Sequence, residues 1–125
     1  MKPFLIEQDA NRQNSGAIQQ SDVIFNIVLA AGVEQSFLVP FGASATGGES
    51  TRANIVLFGS TGNFYCGIDR HAVVPVANIV DGSGSELNPT IRAIDGVSRI
   101  YLIASANCVV TMAFYLTPKN TRWMA

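Results

Sequence analysis

The chain has 125 residues and a net charge of −1, from 8 Lys and Arg against 9 Asp and Glu, and neither sign runs in blocks. That length suits one domain able to bury a core without metal or disulfide staples, and the even balance lacks the basic stripe with which proteins neutralise nucleic-acid phosphates. Charged residues make up only 14% of the chain, where about 25% is usual, so the exterior must be largely Ser, Thr, Asn, Gly and apolar atoms. A neutral, hydroxyl-rich monomer would answer to this composition. Coverage by partner subunits is the stronger expectation, because interfaces deplete charge at their cores.

In chain order, residues 1–21 are polar and rich in Gln and Asn, with an apolar prefix at Phe4, Leu5 and Ile6. They show neither the 3.6-residue period of a helix nor the alternation of a strand. The reading is an extended N-terminal arm over 1–21 and a β domain over 22–125. Pro3 and Glu7 leave too short an apolar run for a signal peptide. Val23–Ala31 is far below the roughly 20 residues that span a bilayer. No membrane partner is therefore expected.

From Asp22 onward, short β-rich runs are separated by Gly, Ser, Asn and Pro. Strands are expected at 23–31, 34–39, 53–59, 63–68, 73–77, 90–94, 98–104 and 108–117. In the last, Cys108, Val110, Met112, Phe114 and Leu116 share one face, and Val109, Thr111, Ala113 and Tyr115 the other. Both faces are largely apolar, so this strand belongs in the middle of a sheet or under a cover. The short links 60–62 and 105–107 read as hairpins, with Gly62 at a position where a positive φ is needed. Pro75 demotes 73–77 to an edge strand. A single short turn near Glu86–Pro89 is the only helical signal. Eight strands with regular turns predict an all-β fold, an antiparallel β-sandwich with a jelly-roll-like or other Greek-key path.

No chemical motif emerges. The glycine-rich loops 42–50 and 81–89 lack the Lys of a phosphate-cradling loop, and neither precedes a helix. His71 is the single histidine; Asp69 and Arg70 beside it alternate in direction along a strand, so the triplet does not itself form a site. Asp69, Asp81, Glu86 and Asp95 fall in expected turns, where carboxylates cap backbone. Asp81 and Glu86 lack the dense spacing of a calcium loop. Cys66 and Cys108 match no zinc pattern and read as buried free thiols; a disulfide would need adjacent strands and an oxidising compartment. Phe64, Tyr65, Tyr101, Tyr115 and Trp123 leave a carbohydrate site open, although strand aromatics more often serve a core or an interface. No catalytic, cofactor or metal site is expected.

The stretches Gly62–Cys66, Ala77–Pro89 and Ile100–Ala104 followed by Cys108–Tyr115 resemble small virion proteins of tailed bacteriophages, of the decoration or cement kind. The similarity lies in strands and turns over about half the chain. It implies a non-enzymatic capsid decoration protein, an oligomer (often a homotrimer) that clamps neighbouring copies of the major capsid protein. Such a protein is made in the host cytoplasm and ends in the virion. Phe4, Leu5, Ile6 and Trp123 are the expected contact residues. A phage tail or baseplate component and a carbohydrate-binding β-sandwich are the alternatives.

Overall fold

Residues 108–115 show how alternation builds this molecule. Cys108, Val110, Met112 and Phe114 are buried, while Val109, Thr111 and Ala113 between them are half-buried. A strand with one dry face and one partly covered face has to lie inside a sheet. In the computed structural model it does. The structure describes residues 1–8, 14–43 and 50–117.

Regular structure among the described residues is entirely β. The strands are β1 (Ile6–Gln8), β2 (Asn14–Ile18), β3 (Ile24–Leu29), β4 (Gln35–Leu38), β5 (Phe41–Ala43), β6 (Ser50–Arg52), β7 (Ile55–Ser60), β8 (Tyr65–Ile68), β9 (Glu86–Leu87), β10 (Ile91–Ala93), β11 (Arg99–Ile103) and β12 (Cys108–Tyr115). They form two four-stranded antiparallel sheets, one in the order β10-β7-β12-β3 and the other β4-β11-β8-β9. Two small pairs, β1-β2 and β5-β6, stand beside them.

Both sheets feed one core. Leu29, Val56, Val110, Met112 and Phe114 come from the first sheet, and Cys66, Ile100 and Leu102 from the second. Phe25 on β3 meets Phe114 edge-on at 5.0 Å and Phe37 on β4 at 6.4 Å, joining the two layers. Each fully buried aliphatic or aromatic side chain here contributes about 1.5–3 kcal/mol.

The two expected hairpins are not hairpins. β7 and β8 belong to different sheets, and so do β11 and β12. Links 61–64 and 104–107 therefore arch from one layer to the other. Asn107 Oδ1 fastens the second arch by accepting from Ala31 N at 2.8 Å. Alternation reports which face of a strand is buried and is silent about its neighbour, so a short link between two alternating runs fits either geometry. Gly62 has no positive φ; a Cβ there would lie 3.2 Å from Cys108 Cβ, so close approach explains the glycine.

Residues 73–77 form no strand, consistent with the missing Pro75 donor. The turn expected near Glu86–Pro89 is instead β9, paired with β8 through Tyr65–Leu87 and Cys66–Glu86. Asn88, at φ 49, closes it: its Oδ1 accepts from Phe64 N and its own N–H donates to Phe64 O, both at 2.9 Å.

The N-terminal segment is tied at both ends to the close of β12. Phe4 N donates to Leu116 O at 2.9 Å, and Leu116 N to Lys2 O at 3.0 Å. Tyr115 Oη donates to Gln19 O at 2.7 Å. Between these anchors, β1 and β2 pair with Ile6 opposite Ile18.

Candidate interaction surfaces

The first sheet turns its other face outward. Register sets Ile24, Ala113, Leu57 and Ile91 in one row across β3, β12, β7 and β10. Asn26, Thr111 and Gly59 form the next row, then Val28 beside Val109. No charged side chain stands in these rows. Val28 is 71% exposed, and Ile24 and Ile91 are exposed as well. A contiguous uncharged sheet face is the kind of surface that proteins cover.

One end of that face is already covered. Tyr115 is buried beneath the N-terminal segment, with the Phe4 ring edge-on to it at 5.3 Å. Of the expected contact residues, Phe4 is half-buried in this intramolecular packing and Leu5 is exposed. Ile6 lies in β1, and Trp123 falls outside the described residues.

A second surface is the β8–β9 connection, which the strand reading of 73–77 missed. Val76 is 99% exposed and Val80 90%, within a run, 72–80, that carries no charge. Its base is held in several places. Arg70 Nη1 donates to Gly82 O at 2.8 Å, and Val73 N to Ser85 Oγ at 2.9 Å. Glu34, from the β3–β4 link, takes Ala72 N on Oε2 at 2.7 Å and faces His71 Nδ1 across 2.9 Å from Oε1. Asp69, at φ 55, accepts from Ser98 N and Arg99 N through Oδ1. The loop is thus anchored by polar bonds and presents apolar side chains. A nine-residue uncharged stretch, 72–80, flanked by His71 and Asp81 was the signal available in the sequence.

The groups considered for chemistry have other engagements. His71 pairs with Glu34 and packs against the Tyr101 ring, whose centroid lies 4.8 Å away. Asp81 accepts from the hydroxyl and N–H of Ser83, which hold its carboxyl below the usual range. Glu86 is paired with Arg92, whose hydrogen bonds lower its pKa. Described residues contain no group of three or more metal-ligating side chains. Cys66 on β8 and Cys108 on β12 are buried and free, in opposite sheets. Burial, with the Glu86 charge adding, pushes the Cys66 thiol up to about 12. Among the aromatics open to a sugar, Phe64 and Tyr115 are buried, and Tyr65 and Tyr101 are half-buried.

Compared with known protein families, curated proteins and solved structures, the chain has no match.

Proposed function

We propose that this chain is a structural protein of a tailed-phage particle that binds and stabilises the assembled capsid. Its uncharged outer sheet face is the observation that carries the docking role. The apolar Val76–Val80 loop supports it, as an element raised above the body and fixed at its base. Assignment to a phage particle follows from the resemblance of the strand and turn pattern over 62–115.

A jelly-roll sandwich is the architecture we read here. Strand pairing supports it: β3 with β12, β4 with β11, β7 with β10 and β8 with β9. These pairs nest from the ends of the domain inward, as a long hairpin wound over itself would pair. Such a body offers broad sheet faces and loops at its ends. A protein that binds the closed shell and not free subunits stabilises the shell by mass action.

The experiment is mass spectrometry of purified particles with copy counting, for wild type and for Val76→Lys combined with Val80→Lys. Both valines are almost fully exposed, so the variant is expected to fold normally while its occupancy falls at least about tenfold. Copies numbering in the hundreds are expected for a shell protein. A handful of copies would move the protein to the tail or baseplate, and absence from particles would overturn the proposal.

A further inference from the structure

Sheet edges carry backbone groups that still lack partners, and the two large sheets have four. β9 and β10 have two and three residues, and the Arg92–Glu86 ion pair ties them together. β4 has four. β3 is the longest edge, six residues reading Ile-Phe-Asn-Ile-Val-Leu, with no charge, no proline and an unbroken register against β12. Among the described residues, the Gln35 side chain is the one group that reaches this edge.

Backbone direction along β3 follows from its bonds. Phe114 N donates to Val23 O, so residues 23, 25 and 27 face β12 and residues 24, 26 and 28 face the open side. Gln35 Nε2 reaches Val28 O from that side at 2.7 Å. No other described strand pairs there. Ile24, Asn26 and Val28 also place their side chains on the uncharged outer face.

We infer that a second copy of this chain pairs with β3 edge to edge, antiparallel, about a two-fold axis beside Asn26. That register sets Ile24 opposite Val28 of the second copy and Asn26 opposite its own counterpart. Apolar meets apolar and amide meets amide, so the strand is its own complement. Moving the axis to Phe25 would put Asn26 against Ile24 and Val28 against Asp22, which is a poorer match. Gln35 shares or yields Val28 O, since a carbonyl offers two lone pairs. The two first sheets then become one continuous sheet, and the uncharged outer face runs unbroken across the seam. This association is two-fold, in contrast to the three-fold state implied by the resemblance. It does not depend on where the protein acts.

Sedimentation equilibrium of the purified full chain at micromolar concentration tests it, and a dimer is expected. Asn26→Lys and Asn26→Asp each set like charges directly opposite at the axis. Each should weaken the dimer by about tenfold or more at low salt. Mixing the two variants in equal amounts should restore dimers, because Lys then faces Asp. Circular dichroism checks that both remain folded, as expected for an exposed position. A monomeric or trimeric wild type would overturn the inference. So would single variants that dimerise like the wild type, or a mixture that fails to recover.

Discussion

Replacing Ser21 with Ala tests how the N-terminal segment is seated on the body. Ser21 is the buried polar side chain of the described core, 5% exposed, just before the β3–β12 ladder starts. In an uninterrupted antiparallel pair, Val23 and Phe114 would exchange two direct bonds. Only one is direct, Phe114 N to Val23 O at 3.0 Å. The other passes through the serine: Val23 N donates to Oγ at 2.9 Å, and Oγ donates to Phe114 O at 2.6 Å. Alanine leaves an N–H and a C=O facing a gap the size of one oxygen. Leaving a buried polar group unsatisfied costs about 1–3 kcal/mol. The strands can close part of the gap and recover some of it, so a net loss of about 2 kcal/mol is expected. For a chain of this length that lowers Tm by about 8 °C, or the urea midpoint by about 1 M. Ser21→Thr keeps the hydroxyl and should cost less than about 1 kcal/mol. Urea unfolding followed by circular dichroism measures both. An alanine variant within about 0.5 kcal/mol of wild type would refute the inserted-hydroxyl reading.

Asn88→Ala should cost about 2 kcal/mol, from left-handed strain plus the lost bond to Phe64 N, and Asn88→Gly only about 1, since glycine tolerates φ 49; equal losses in urea titrations would contradict this. The Cys66 thiol ionises in the unfolded chain near pH 9 but in the folded one only near 12. Its contribution is therefore intact below pH 9 and lost as pH rises towards 12, by about 1 kcal/mol per pH unit. Cys66→Ala should flatten that slope when unfolding free energy is measured from pH 8 to 11. Glu34→Ala removes the acceptor of Ala72 N and the partner of His71. Limited proteolysis should then cut between residues 71 and 85 several-fold faster, with cleavage elsewhere unchanged.

Much of the strand inventory was legible in the residues. β3, β4, β7, β8, β10, β11 and β12 lie within or beside the runs expected from apolar alternation, because a half-buried strand must repeat every two residues. The central place of β12 was legible too: Val109, Thr111 and Ala113 are less polar than a solvent face needs, and the strand lies between β7 and β3. β9 was not, since two residues carry no period and its pairing depends on Asn88 adopting a left-handed φ beside Phe64. The anchoring of Lys2 and Phe4 on Leu116 was equally hidden, as main-chain bonds between distant segments leave no mark on side-chain order.

Composition and alternation by themselves determined that the chain folds as sheets, which residues of the last strand share a face, and that its exterior is short of charge. Only the tertiary structure decided which strands are neighbours, that the short links at 61–64 and 104–107 change layers, and that Val76 and Val80 stand in solvent. The physical reason is that burial acts on each side chain locally, whereas pairing is settled by backbone groups common to every residue. Those groups choose partners across the whole chain, and nothing in a local window of sequence names the strand they will meet.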